Sequence, residues 1–548
     1  MKRIVICLLG LLAAAPVLSS CKKDFLDETP QSIYTVEGSL VDSLGIEAGM
    51  AGLMSVVREQ YTYSDNQGTL VTMQGGTDVA IVANPQGIET SYYNYASMTS
   101  RDGAAGIWWR SAYRIIANAN VLIKAAANAP STVRPGYKRR IDAEARFYRA
   151  YAYNFLATLY GPVPIVDEPV TSARTDYTRA PLAEVNAFII QDLTAALPNL
   201  WLANNTRQPS GRVTRGAAQH LLGEVYLRAG QPALAEAQLQ ALVGSGLYSL
   251  VRARYGVRAG QPGDYYADMF VIGNTRRAQG NTEIIWGIEQ QLSAAGVGGG
   301  PPPPPAAQAN AAQQRRVWVP GYYNVAGMRV ADSLGGRGLG RIRLSNWMAY
   351  RLYAPNDVRN SKYNLRRRFY YNDPSRPALF GRRVTGLTGT DTLRNITPYI
   401  TKWNEYNPVD EFGFAMYKDL PMMRLGETYL LLAEAQFRQG NLSGARATLN
   451  VLRQRAFNNT AAGNILNDAD VTLNLILDER ARELIGEEQR RLTLLRTGTL
   501  IERTTRLNST VIPGNLTITG LDARNTLLPI PQTEIDLSFG TLTQNPGY

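Results

Sequence analysis

The sequence predicts a mostly α-helical protein built from tetratricopeptide-like helix pairs and interrupted by a long loop-rich insertion. Three observations carry that expectation. Apolar residues recur at three- and four-residue steps in both halves of the chain, the period of a helix with one buried face. A block of Leu221, Leu222, Glu224, Arg228, Gly230 and Ala235 is echoed 210 positions later by Leu431, Leu432, Glu434, Arg438, Gly440 and Ala445, each copy reading as helix, glycine turn and alanine-rich helix. Between the copies lies a stretch without helical period that holds Gly298-Gly299-Gly300 and the prolines Pro301 to Pro305, a composition that packs no core of its own.

At the start of the chain, Lys2 and Arg3 precede an apolar run from Ile4 to Leu18, and the small pair Ser19-Ser20 stands directly before Cys21. That is the layout of an export signal with a positive n-region, a short h-region and a small-residue cleavage site. The run falls short of the roughly 20 residues of a membrane span. A soluble exported protein needs no cysteine at the cut, whereas a bacterial lipoprotein needs that thiol to carry lipid. Residues 1–20 are therefore expected to be a signal peptide, Cys21 the lipidation site, and residues 21–45 a polar tether. Residues 46–548 are expected to form one domain, with a helical scaffold over about 105–245 and 420–500 and an irregular insertion over about 250–415.

From Leu53 to Trp109 no period emerges, and the stretch reads as mixed and loop-rich around Gly75-Gly76-Thr77-Asp78 and Tyr92-Tyr93-Asn94-Tyr95. Trp109, Tyr113, Ile116, Asn120 and Ile123 then share one helical face. A second helix follows Pro135, with Ile141, Ala145, Tyr148, Ala152, Phe155 and Leu159 as its stripe and Glu144, Arg146 and Arg149 outside it; Gly161-Pro162 ends it, and Pro162 to Val166 runs extended. Leu182 to Leu197, Val213 to Ala229 and Pro232 to Val243 are the next helices, with Pro232 suited to a first turn. The scaffold resumes as helix at Met422 and returns over Leu442 to Ala456. Leu475 to Ile485 carries Asp478 and Arg482 at i, i+4, a pairing that Glu487 and Arg491 repeat; such pairs are worth about 0.2–0.5 kcal/mol at a solvated surface. The terminal stretches from Leu528 and from Gln544 read as non-helical.

Composition narrows the chemistry. The chain has 2 cysteines and 1 histidine. Cys7 leaves with the signal and Cys21 is acylated, so no thiol remains for a disulfide, a metal or nucleophilic attack. His220 sits in an apolar helical segment and reads as structural. No metal site of the Cys/His kind and no cofactor is expected, and no glycine-rich phosphate loop precedes a Lys-Ser or Lys-Thr. The formal net charge is +12, falling by two once Lys2 and Arg3 leave. Its arginines are dispersed, with local groups at Arg139-Arg140, Arg315-Arg316, Arg366 to Arg368 and Arg490-Arg491, and read as solvated surface without a nucleic-acid partner. Carboxylates are abundant enough for a glycosidase pair, but no spacing marks one.

Aromatic abundance remains, with 30 tyrosines and 7 tryptophans. The apolar faces of sugar rings stack on phenol and indole, and their hydroxyls hydrogen-bond to neighbouring polar groups. Trp109, Tyr148 and Tyr429 lie on helical stripes and are expected in the core. The candidate ligand-binding residues are Asp78, Tyr92, Tyr93, Tyr95, Trp318, Tyr322, Tyr323 and Trp347, drawn from the loop-rich segments.

Six ordered blocks resemble a known family over nearly the whole chain: Cys21-Lys-Lys-Asp-Phe-Leu-Asp; Trp109 with Tyr113, Ile116 and Ala119-Asn120; Ala143-Glu-Ala-Arg-Phe-Tyr-Arg-Ala with Tyr160-Gly-Pro-Val-Pro; Arg424-Leu-Gly-Glu-Thr-Tyr-Leu with Ala433-Glu-Ala; Glu479-Arg-Ala-Arg-Glu-Leu; and Pro529-Ile-Pro-Gln-Thr-Glu-Ile with Leu542-Thr-Gln-Asn-Pro-Gly-Tyr. Together they are similar to the SusD/RagB outer-membrane lipoproteins of Bacteroidetes. The resemblance implies a SusD-like, mostly helical fold on a lipid anchor at the outer face of the outer membrane. It also implies a non-catalytic role, binding oligosaccharides and delivering them to a TonB-dependent SusC-like transporter. A peptide-binding RagB-like lipoprotein is the alternative within the family; a surface glycan hydrolase and a protein-holding scaffold lie outside it. Replacing Cys21 with Ala is expected to move the protein from the membrane fraction to the soluble fraction of cells; retention of the variant in the membrane would contradict the anchor.

Overall fold

The computed structural model describes residues 39–62, 67–290, 312–408, 411–413, 416–508 and 517–548. The expected signal peptide, Cys21 and the Gly298 to Pro305 run lie outside the described residues. Eleven longer helices within them form the scaffold: α1 (Ser43–Thr62), α2 (Gly103–Asn128), α3 (Pro135–Tyr160), α4 (Leu182–Ala196), α5 (Arg215–Arg228), α6 (Pro232–Val243), α7 (Leu425–Arg438), α8 (Leu442–Ala456), α9 (Leu473–Leu484), α10 (Arg490–Arg496) and α11 (Leu500–Leu507). None of the described helices is long and apolar enough to cross a membrane.

Local chemistry sets the helix ends. The Asp102 carboxylate accepts the Ala105 N–H at 2.8 Å and caps α2, satisfying one of the donors that a helix start leaves open. Pro135 and Pro232 occupy the first turns of α3 and α6, where a missing N–H costs nothing. The C-terminal tail closes the far end of α3: the Leu159 carbonyl accepts the Leu528 N–H, and the Tyr160 carbonyl accepts the Asn545 amide at 3.0 Å.

The two sequence echoes share one turn. After α5, Gly230 takes φ 71° while Gln231 N–H donates to the Tyr226 carbonyl; after α7, Gly440 takes φ 78° while Asn441 N–H donates to the Gln436 carbonyl. This is the left-handed glycine cap that lets a helix reverse at once. The α5–α6 and α7–α8 pairs then meet, with Leu227, Ala235 and Leu239 packed against Leu431, Leu432 and Ala435. Their separation in sequence is closed in space by the insertion folding back.

Six short strands among the described residues tie that insertion down in antiparallel twos. They are β1 (Ala80–Val82), β2 (Ile284–Ile288), β3 (Ile342–Leu344), β4 (Leu365–Arg366), β5 (Tyr399–Ile400) and β6 (Leu420–Arg424). β1 pairs with β3, β2 with β6, and β4 with β5. Trp286 on β2 meets Phe147 and Tyr151 of α3 edge-on at 5.5 and 5.3 Å. It is thus a core residue, not part of an exposed aromatic surface.

Several expectations need correction. Helix α1 lies where the sequence read as tether and loop: Gly45, Gly49 and Gly52 obscure a period that burial of Ile46, Met50, Leu53, Val56, Val57 and Tyr61 reveals. Met422 belongs to β6, because pairing with β2 holds Leu420–Arg424 extended. Gln532–Leu537 is a short helix. The larger correction concerns charge. Every residue of α3 from Phe147 to Tyr160 is buried, so Glu144 and Arg149, expected outside the stripe, are enclosed as well. Glu144 is taken up by Arg212, and Arg149 by Asp192 at 2.7 Å and Asn120 at 2.8 Å. Arg140, Arg315, Arg316, Arg490 and Arg491 are likewise buried. Neither predicted surface pair forms: Asp478 pairs with Arg503 and Arg482 with Glu479, while Glu487 pairs with Arg424 and Lys402.

These charges converge on α9. Glu483 accepts hydrogen bonds from Arg359 at 3.0 Å, Arg424 at 2.8 Å and Arg455. Glu283 accepts from Arg424 and Arg455 at 2.7 Å each. Glu479 is met by Arg359, Arg453 and Arg482 within 2.8 Å. Burial by itself raises a carboxyl pKa, yet the facing cations win. Glu479 and Glu434 are held down to about 2 by their arginines, and Glu427 to about 2 by His220 and Arg480. A depressed folded-state pKa contributes stability that is present above the unfolded value and lost as pH falls through the folded one. Unfolding free energy should therefore show no loss from these acids above pH 5. It should then fall between about pH 4.5 and 2, by on the order of 3 kcal/mol per carboxylate, as read by urea denaturation at stepped pH; a flat profile through this window would contradict the assignment.

Candidate functional site

The insertion has a small core of its own. Val319, Tyr322, Val325, Met328, Leu334, Phe369, Val384 and Tyr399 pack together apart from the main core. Tyr322 is fully buried there, and its hydroxyl donates to the Gly336 carbonyl at 2.8 Å. The next residue faces outward. Tyr323 stands edge-on to Tyr322 at 5.9 Å and to Phe412 at 6.1 Å, and its hydroxyl donates to the Gly338 carbonyl at 3.0 Å. Arg337 lies over both outer rings, 6.0 Å from the Tyr323 centroid and 5.5 Å from Phe412, and its Nε donates to the Tyr323 hydroxyl at 3.3 Å. Phe412 is 57% exposed. A ring, a guanidinium and a second ring thus form a face held from below by a rigid core.

That face combines apolar area for C–H stacking with hydrogen-bond donors at its edge. Other exposed rings of the insertion are Tyr350, Tyr370 and Phe380. Among the described residues no cluster of three or more His, Cys, Asp or Glu side chains could hold a metal.

The eight residues singled out from the sequence separate sharply. Tyr322 and Tyr323 are neighbours, one buried in support and one half-buried at the edge. Trp347 is half-buried, with Arg503 over its ring at 5.5 Å, and Tyr93 is half-buried elsewhere. Asp78, Tyr92, Tyr95, Trp318 and Tyr322 are removed from the accessible surface. Asp78 accepts from Arg490 at 2.7 and 2.9 Å and from Arg503 at 2.8 Å. Burial would raise its pKa, but these two guanidinium groups hold it below the usual carboxylate range. Tyr92 and Tyr95 lie under the Arg491 guanidinium, 4.8 and 5.5 Å away. Trp318 lines a cavity of about 140 Å³ inside the scaffold with Tyr61, Trp108, Tyr151 and Trp403. That volume is below the roughly 300–1,000 Å³ of ligand pockets. His220 lines the same cavity, its Nδ1 at 2.9 Å from the Thr428 hydroxyl.

Sequence reasoning missed Phe412 and Arg337. Their only signal was membership of the aperiodic insertion, because the partners that bring them together are far apart in the chain.

Comparison with known proteins places this geometry. A model described as "SusD family" matches residues 392–548, and one described as "Starch-binding associating with outer membrane" matches residues 24–227. A SusD-like protein of Bacteroides ovatus is 28% identical over 230 residues, a match spanning 40% of this chain and 39% of that relative. SusD-like protein P25 of Formosa agariphila is 23% identical over 557 residues, covering 96% of this chain and 97% of its own length. The solved surface glycan-binding protein A from Bacteroides thetaiotaomicron, in complex with laminarihexaose, shares the fold with a TM-score of 0.70. It is 18% identical, over 92% of this chain and 99% of that one.

The contrast between buried and exposed candidates is measurable. Asp78→Ala removes the buried carboxylate that Arg490 and Arg503 share, leaving them only Glu488 and Asp478, and is expected to cost about 3 kcal/mol. Phe412→Ala should stay within about 0.5 kcal/mol. Urea denaturation of both variants checks this, and equal losses would refute the division.

Proposed function

The chain belongs to the SusD family, and on that premise we propose that it is a non-catalytic cell-surface lipoprotein. It binds oligosaccharides and hands them to a TonB-dependent SusC-like transporter in the outer membrane. The family model over residues 24–227 carries outer-membrane association in its description, and a protein of the same fold is known in complex with laminarihexaose. The observation that carries the reading for this chain is the Tyr323–Arg337–Phe412 face on a rigid core, with Phe412 exposed and the other two half-buried. It offers what a glycan needs, stacking rings with polar edges, on a part of the molecule that the helical scaffold does not cover.

Binding without hydrolysis is supported by the state of the acids on α9. A glycosidase needs one carboxyl held protonated near neutral pH to donate to the leaving oxygen. Glu479 and Glu483 are instead buried among arginines that keep them ionised, which suits a structural role. Lipid at Cys21 complements this by keeping the body near its transporter at high local concentration.

Laminarihexaose is the probe for a first titration. The protein is expected to bind it, and Tyr323→Phe and Phe412→Ala are each expected to weaken binding, the Phe412 change about tenfold, or ~1.4 kcal/mol, with unchanged melting temperature for the exposed Phe412 site. If a panel of neutral and charged oligosaccharides gives no heat of binding, or if both variants bind like the parent, the aromatic face is not a glycan site.

A further inference from the structure

Beside the aromatic face lies a second concavity with a different character. It is a cleft of about 560 Å³ bounded by Arg254 to Ile272, Asp332-Ser333, Lys362 to Arg366 and Thr401 to Tyr406, with Lys418 at its base. Segment 332–337 joins the two sites, carrying Asp332 in the cleft and Arg337 on the face.

Five cationic side chains line this cleft against three carboxylates; two carboxylates and two cations, Arg254 and Lys418, are already committed, Lys418 to the Lys402 and Asn404 carbonyls. Asp268 holds Arg254 through contacts at 2.6 and 3.2 Å. Glu405 is buried and accepts the backbone N–H groups of Tyr417 and Lys418 at 2.8 to 3.0 Å. Asp332 meets Arg258 only at 3.5 Å with both side chains half exposed, a pair that solvent largely screens. Lys362 and Arg366 have no carboxylate partner among the described residues. Arg366 donates one Nη to the Ser333 carbonyl at 2.7 Å, and its Nε is buried without an acceptor. Asn404 Oδ1, on the same wall, is a buried acceptor without a donor. Lys362 is exposed on the cleft wall, and Arg366 beside it is half-buried. Tyr363 and Tyr406 supply ring surface beside them.

We propose that this cleft is a subsite for an anionic sugar, a ring bearing a carboxylate or a sulfate ester, lying next to the aromatic face that receives the neighbouring rings. The inference rests on the glycan-binding reading and adds the class of glycan. Lys362, Arg366 and Arg258 face the anionic group, and charge-assisted contacts of this kind are about twice as strong as neutral ones. The volume lies within the roughly 300–1,000 Å³ typical of small-ligand sites.

The test uses the full-length protein in detergent, titrated with an oligogalacturonate, a sulfated galactan oligosaccharide and laminarihexaose of equal length. At low salt at least one charged ligand should bind about tenfold more tightly than laminarihexaose, and the advantage should shrink as salt screens it. Comparison of the two charged ligands separates carboxylate from sulfate. The double variant Lys362→Ala/Arg366→Gln should remove the charged ligand's advantage while leaving laminarihexaose binding unchanged. The single exposed change Lys362→Glu should reduce that advantage without altering the fold, which melting temperature verifies. Equal affinity for charged and neutral ligands, or a charged advantage that survives both variants, overturns the anionic subsite while the glycan reading stands. Loss of binding to all three ligands in the parent protein overturns both.

Discussion

Glu483 is the point on which the two halves of the molecule close. It sits on α9, fully buried, with Arg424 from the strand that leads into α7, Arg455 from α8 and Arg359 from the insertion all aimed at its carboxylate. Desolvating four charged groups is costly, and such a cluster is tolerable only when every charge meets an opposite one in good geometry. The surrounding structure meets that condition. Glu283 supplies a second carboxylate to Arg424 and Arg455, and Asp357 with Glu479 complete Arg359. No segment contributing to this network can move independently without leaving a charge unpaired, so the insertion is fastened to the scaffold by electrostatic necessity as much as by apolar contact.

The same logic repeats at smaller scale. Asp78 joins the N-terminal segment to Arg490 of α10 and Arg503 of α11, across more than 400 positions of sequence, and Arg491 donates to the carbonyls of Thr72 and Gly75. Glu144 and Asp192 do this for the α3 neighbourhood. A chain expected to have no disulfide in its mature body thus holds long-range register with guanidinium–carboxylate pairs, whose planar bidentate geometry fixes orientation as well as distance. Lys362 and Arg366 of the cleft are not drawn into such pairs.

Rigidity below and exposure above define the aromatic face. Tyr322 is locked into the small core by its hydroxyl and its ring neighbours, so Tyr323, one residue on, is presented at a fixed angle beside Arg337 and Phe412. Preorganised rings lose little entropy on binding, which favours recognition of a flexible oligosaccharide. Family membership and the helical scaffold concern the body; the proposed ligand face resides in loops that this body holds still.

Much of the architecture was legible from residues alone. The period of α2 through α6 and of α8, the glycine turns at Gly230 and Gly440 and the 210-residue echo all depend on local spacing, and local spacing is written directly in the chain. Helix α1 was hidden because its glycines dilute the pattern. The roles of charged and aromatic residues were not legible, because they depend on which distant partner arrives. Glu483 looks like any helix-surface acid until three arginines from separate segments surround it. Asp78 and Tyr92 resemble ligand groups until Arg490, Arg491 and Arg503 cover them. Tyr322 and Tyr323 are indistinguishable as neighbours, and only the packing of a small core turns one inward and the other out. The sequence by itself determined most of the longer helices, their glycine turns and the family; tertiary structure decided which polar and aromatic groups are satisfied inside and which stay at the surface, since burial and pairing are properties of contacts between segments far apart in the chain.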